Sequence, residues 1–369
     1  MRENAWISIF VIYCLIAVFW SDIPFVAAKR WFKTLGHPVM ALIILTDPNP
    51  LGAFRTIMKR CAYILLPLSV LFIKYLPQYG RGFDEWTGSA VNRGINLNKN
   101  ELGYVCLVFG LFFIWNFLNQ PSSAERRRPS ERTISAFFLV IDLWLLYKAS
   151  SATAAVALFV GSFCILLLQL PKLRARDLRI VVVLALVAAA VVELSFNVDA
   201  PLISLLGRNE TLTDRTAVWH DALSLSNSPI FGTGFESFWS GKRLELLWAK
   251  WWWHPNQAHD GYIETYLNLG FVGVAALLGM ILATFLKITR RINGPDTFAR
   301  FRMGFLFAVV VYNFTEATFK GVALVWTIFN LIAIDPPEVA QESVPMSADQ
   351  MEELSDEVEE REFGTTIEA

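Results

Sequence analysis

The strongest constraint on this chain is a succession of apolar runs separated by polar connections, each run long enough to cross a bilayer. A spanning helix needs roughly 20 mainly apolar residues, because lipid offers its backbone no hydrogen-bond partner. Residues 5–20, 60–76, 101–119, 133–148, 151–170, 178–196 and 261–286 qualify. Residues 34–46 are a weaker candidate, and 303–334 is long enough for two spans with a break near Glu316. The expected fold is therefore all-α, a polytopic membrane protein of about ten transmembrane helices. Composition agrees. Of 369 residues, 54% are hydrophobic and 18% charged, against about 25% charged in a soluble domain. A disordered chain, a nucleic-acid binder and a disulfide-stapled module are excluded. Cys14, Cys61, Cys106 and Cys164 stand far apart in apolar runs. They form no CxxC pair, so neither metal nor redox chemistry is expected.

The overall charge of −1 hides a division. From Asp335 onward the chain has 12 acidic residues and one basic, Arg361. Residues 335–369 read as an acidic, disordered tail, and 1–334 as a basic transmembrane domain. The first run leads through aromatic residues to Trp20 and Ser21-Asp22, not to a cleavage site of small residues, and reads as a retained helix. Orientation follows from three basic clusters. They are Arg126, Arg127, Arg128 and Arg132; Lys172, Arg174, Arg176 and Arg179; and Lys287, Arg290, Arg291, Arg300 and Arg302. Placed together, they define the cytoplasmic side. Both termini are then inside, and 21–33, 77–100 and the long segment 197–260 are outside.

That assignment leaves an anomaly. The outer connections hold Lys29, Arg30 and Lys33, then Arg81, Arg93 and Lys99, where such residues should be scarce. Either these are snorkelling anchors or a span is miscounted, or the cations bind an anion at the outer face. All four histidines (His37, His220, His254, His259) fall on the same side.

Segment 197–260 carries its own signals. Thr213 or Asp214 can cap a helix with Val218, Trp219, Ala222 and Leu223 on its apolar side. Arg215 and Trp219, four apart, share a face. Gly232-Thr-Gly234 reads as a turn, since it opens no nucleotide-binding unit. Trp248 and Trp251-Trp252-Trp253 suit the headgroup level. The segment reads as a helical cap on the outer leaflet. Next comes His254-Pro-Asn-Gln-Ala-His259-Asp-Gly-Tyr-Ile-Glu264, at the start of a span. Ionisable groups at that depth are costly and usually functional, and an imidazole can take a proton near neutral pH. Either histidine alone is as readily an interfacial group bonded to backbone. A metal site is disfavoured, because HExxH and DxD are both absent. Glu316, near the outer end of a span, needs a partner. An outer arginine in a structural ion pair is the plain expectation.

These residues carry a resemblance. The chain resembles the O-antigen ligase and polymerase superfamily (the Wzy, WaaL and ExoQ type of integral membrane glycosyltransferase) from about Trp20 to Asn330. Ser21-Asp22 with Lys29-Arg30 resembles "WS-x-x-P…KR". Asn98-Lys99-Asn100-Glu-Leu-Gly103 resembles "h-K-N-x-L-G". Gly207-Arg208 with Thr211-Leu-Thr-Asp-Arg215-Thr-Ala-Val-Trp219 resembles the "GR-x-x-TLTGRT-x-x-W" pattern of exopolysaccharide polymerases. Phe231-Gly-Thr-Gly-Phe-Glu-Ser-Phe238 and Ala258-His259-Asp-Gly-Tyr-Ile-Glu264 resemble "GxGxGxF" and "AHNGYLE". Asp260 stands for the usual Asn and Asp214 for the usual Gly, and the N-terminus is short of one or two helices found in longer members.

The resemblance implies a bacterial inner-membrane enzyme whose active site faces the periplasm, under a helical periplasmic cap. Its donor would be a glycan on polyprenyl pyrophosphate. Its acceptor would be a growing glycan or the lipid A core, and other polysaccharide-export proteins are possible partners. His259 would be the general base of an inverting, metal-independent transfer. Arg30 and Arg215, helped by Lys29, Arg208 and Lys99, would bind the pyrophosphate, with Glu316, His254 and Glu264 in support. No cofactor is implied. Polymerase and ligase both remain, and the Thr-Leu-Thr-x-Arg-Thr wording leans to the former. A flippase for a lipid-linked sugar is the alternative of another class. It should show internal repeats and mid-membrane polar breaks, which the sequence lacks.

Overall fold

The computed structural model describes residues 4–83, 90–119, 131–170, 211–226, 228–292 and 297–335. The expected span at 178–196, residue Arg208, two of the basic clusters except Arg132, and residues 336–369 lie outside them. Helices dominate: α1 (Ala5–Ile16), α2 (Pro24–Thr34), α3 (Gly36–Leu45), α4 (Pro50–Tyr75) and the single turn α5 (Pro77–Gly80). A short antiparallel ribbon follows, β1 (Arg81–Phe83) against β2 (Ala90–Asn92). Then come α6 (Lys99–Leu118), α7 (Glu131–Ala149), α8 (Ala152–Leu167), α9 (Thr211–Ser224), α10 (Gly241–Lys250), α11 (Gly261–Arg291), α12 (Phe298–Tyr312) and α13 (Leu324–Ala333). Among the described residues, α4, α6 and α11 are long and apolar enough to cross a membrane. Helices α1, α8 and α13 are apolar but shorter. Helix α9 starts at Thr211, so Thr213 and Asp214 lie inside it and not at its cap.

Helix α6 is apolar all round, and that is why it occupies the centre. Leu102, Val105, Phe109, Phe112, Phe113 and Trp115 are all buried on it. Helices α7, α8 and α12 pack around it, α4 packs on α7, α13 on α3, and α1 on α11. Helices α8 and α12 cross where Gly161 meets Gly304. A Cβ on either glycine would sit 2.8 or 2.7 Å from the other's carbonyl oxygen, so only residues without one allow this approach.

The bundle has two chemically different ends. At one, Arg55 and Arg300 bond Asn119, Arg300 also bonds Gln169, and Trp115 Nε1 bonds the Thr297 carbonyl at 2.8 Å. Buried Asp335 belongs to this end. It faces Arg302 at 2.9 Å and Arg291 at 3.5 Å, and its backbone N–H donates to Asn4 Oδ1 at 3.0 Å. The compact unit runs to Asp335, whose carboxylate neutralises a buried guanidinium. Deleting 336–369 is therefore expected to leave the melting temperature in detergent unchanged. Asp335→Ala is expected to cost about 3 kcal/mol, as breaking a buried ion pair does.

Helix α11 is broken at Gly270, whose φ of 64° and ψ of −167° are non-helical. A side chain there would strike the carbonyl of Ile230. The break divides a short segment, Gly261–Leu269, from the long apolar one. The Gly232-Thr-Gly234 turn docks on the short segment through Thr233 N–H to Leu267 O (3.2 Å) and Gly234 N–H to Asn268 O (2.9 Å). The polar end of the bundle is built around it.

Candidate functional site

Asp260 caps α11 by accepting from the N–H groups of Tyr262 (2.8 Å) and Ile263 (2.7 Å). Burial pushes its carboxyl up to about 6, against the pull of those two donors. Asn and Asp cap equally well, so Asp260, where the motif it resembles has Asn, keeps this local function. His259 immediately precedes the cap and has φ +52°. Non-glycine residues in that region are uncommon and concentrate at functional sites. Its ring is mostly buried, with Nδ1 3.8 Å from Glu316 Oε2 and 3.3 Å from Gln257 Nε2.

Glu316 lies on the connection 313–323 between α12 and α13, where the break in 303–334 was expected. Its other oxygen accepts from Asn100 Nδ2 at 2.8 Å. The described partners of this buried carboxylate are thus a histidine and an amide, not the arginine anticipated from sequence. The arginine is one residue away: Arg215 Nη1 donates to the carbonyl of Thr315 at 3.0 Å. Thr315 Oγ1 also pairs with Thr153 Oγ1 at 2.6 Å. Trp219, on the Arg215 face of α9, donates from Nε1 to Ala258 O at 2.6 Å. The four-residue spacing therefore brings α9 against both His259's segment and the 313–323 connection.

Glu264 has a different fate. Lys320 Nζ (2.6 Å), Trp239 Nε1 (2.9 Å), Ala258 N (2.8 Å) and Asn268 Nδ2 (3.2 Å) all donate to its carboxylate. So saturated an acceptor anchors three segments and is poorly suited to move protons. His254 is not brought to the cluster. Its exposed ring lies 4.9 Å from that of Trp248.

Arg30, on α2, donates to the carbonyl of Glu236, and its Nε lies 4.0 Å from Glu236 Oε2. Glu236 Oε1 accepts from the N–H of Gly321 at 2.7 Å. Arg30 thus reaches the 313–323 connection through one carboxylate. Lys29 is exposed, with its ammonium 4.4 Å above the Phe25 ring. Lys99 is half-buried as the first residue of α6, next to Asn100.

One connection accordingly gathers His259 through Glu316, Arg215 through Thr315, and Arg30 through Glu236 and Gly321. Sequence reasoning missed Asn100, Glu236, Thr315 and Lys320. Asn100 and Glu236 stand in or beside motifs singled out for other residues, and Lys320 was legible only as a polar residue within an apolar run. Together these groups hold an imidazole beside a carboxylate, with guanidiniums nearby, at the mouth of a helix bundle. That set can take a proton from a hydroxyl and hold an anion.

A family model described as O-antigen ligase (Wzy_C) matches residues 137–278. The match includes Arg215, Asp260, His259 and Glu264 and stops short of Asn100 and Glu316. It supports the resemblance to the O-antigen ligase and polymerase superfamily of membrane glycan-transfer proteins. No curated protein matches the chain.

Proposed function

We propose that this protein transfers or polymerises glycan from a polyprenyl-pyrophosphate-linked donor at the periplasmic face of the bacterial inner membrane. The observation that carries the reading is the His259–Glu316 pair, held beside Thr315, on which Arg215 rests. The neutral imidazole of His259 is the base, and Glu316 Oε2, 3.8 Å from its Nδ1, stabilises the cation that forms. The imidazole takes the proton of an acceptor sugar hydroxyl, whose oxygen attacks the anomeric carbon from the face opposite the leaving group. The bond from that carbon to the pyrophosphate oxygen breaks, and polyprenyl pyrophosphate leaves with the electron pair. Configuration inverts. Arg215 stabilises the charge growing on the pyrophosphate, as preorganised cations do in a water-poor site, and Arg30 binds the diphosphate equally in the ground state and the transition state. Lys99 and Arg208 are the supporting cations. Asn100 orients Glu316, and Glu264 secures the segment before His259.

The family description favours transfer to a lipid-borne acceptor, the ligase reading. The Thr211–Trp219 motif favours chain growth. Incubating purified protein with lipid-linked oligosaccharide separates them. Lengthening of the glycan indicates a polymerase, transfer to lipid A core a ligase, and no change in either would defeat the proposal.

The orientation has its own expected outcome. Intact spheroplasts treated with a membrane-impermeant maleimide should label a cysteine at Glu245, on exposed α10, and not one at Asp47, between α3 and α4. The reverse pattern would place the site inside the cell.

A further inference from the structure

His37 takes no part in the chemistry above, yet it is buried at the start of α3 with both ring nitrogens engaged. Nε2 lies 2.8 Å from the carbonyl of Gly321, and Nδ1 lies 2.8 Å from Thr327 Oγ1 on α13. A carbonyl only accepts, so Nε2 carries a proton. The threonine hydroxyl can turn its one hydrogen to Nδ1 in place of the Ala323 carbonyl 3.2 Å away, so one neutral ring satisfies both contacts.

What His37 grips is a single residue with consequences. Gly321 has φ +59°, and its N–H goes to Glu236 Oε1 at 2.7 Å while its carbonyl goes to His37. The same Glu236 holds Arg30, through its backbone carbonyl and its second carboxylate oxygen. Glu236 itself has φ +46°, a conformation that costs a non-glycine residue energy unless its surroundings impose it. An unbroken series of polar contacts therefore runs from His37 through Gly321 and Glu236 to Arg30. It joins helices α3 and α2 by way of the connection that also carries Thr315 and Glu316.

We infer that His37 is a positioning residue for the donor's diphosphate: it fixes Gly321, which fixes Glu236, which sets the guanidinium of Arg30. His37 touches no substrate. The inference rests on the reading of Arg30 as a pyrophosphate ligand. Its chemistry is specific, because an apolar side chain of similar size would fill the same space without holding Gly321.

The test is a double-mutant cycle on purified enzyme in nanodiscs, with KM and kcat measured for the lipid-linked donor. His37→Phe is expected to raise donor KM by about tenfold with kcat nearly unchanged, a coupling within the range of contacting networks. His37→Gln, which retains a donor for Gly321, should recover most of that loss. Combined with Arg30→Ala, His37→Phe should add little to the effect of Arg30→Ala alone, because the contact series then ends on a missing guanidinium. Multiplication of the two effects would mean that His37 acts on stability alone and would overturn the inference. An unaltered KM in His37→Phe would do the same. An unaltered KM in Arg30→Ala would instead overturn the pyrophosphate reading of Arg30. If His37→Phe does not fold, judged by melting in detergent, Thr327→Val replaces it in the cycle under the same criterion of coupling or multiplication.

Discussion

His259→Ala is expected to reduce glycan transfer by at least about 100-fold, within the range for loss of a general base, while donor binding persists. The expectation follows from a division of labour in the site. The imidazole stands at the N-terminal boundary of α11, 3.8 Å from Glu316, and the cations proposed to meet the donor come from other elements, α2 and α9. Removing the ring takes away the proton acceptor and leaves the guanidiniums in place. The backbone should survive the change, because the cap is supplied by Asp260 and the segment is tied down by Glu264 through Ala258 N. His254→Ala is the matched control. Its exposed ring rests on Trp248, away from Glu316, so transfer should stay close to that of the parent enzyme. Both variants are assayed with one lipid-linked donor, alongside binding of that donor at equilibrium. An active His259→Ala protein, or equal losses in the two, would remove His259 as the base.

Arg215→Ala is expected to lower donor turnover by about 100- to 1,000-fold, the scale seen when one preorganised donor to a developing negative charge is lost. Arg215→Lys should already be costly. A lysine can still reach a carbonyl such as Thr315's, but its single ammonium lacks the planar fork that grips two phosphate oxygens at once. The substitution thus separates two roles of the side chain. If it only props the 313–323 connection, lysine should restore activity along with the melting temperature. If it binds the leaving group, stability should recover and turnover should not. Normal turnover in Arg215→Ala would refute the clamp.

Other parts of the reading were accessible from local sequence for a physical reason. Hydropathy over some 20 residues reports membrane crossing without knowledge of neighbours. Four-residue spacing placed Arg215 and Trp219 on one face, and both now contact the segments beside the cluster. A polar residue inside an apolar run marked the interruption at Glu316. The roles of the acids were less accessible. Glu264 and Glu316 read alike in sequence, since both are carboxylates at the ends of spans. One is saturated by four donors and the other faces an imidazole.

The sequence by itself thus determined the helical membrane class, three helices long enough to span among the described residues (α4, α6 and α11), and the neighbourhood of His259, because each depends on residues close together in the chain. Tertiary structure alone decided which ionisable groups are occupied and by what. Asn100 meets Glu316 across 216 positions, and Arg30 meets Glu236 across 206. It also decided that α11 breaks at Gly270, where the backbone of residue 230 presses in. Burial makes an unpaired charge so expensive that its partner, delivered by another helix, fixes what each acid and arginine can do.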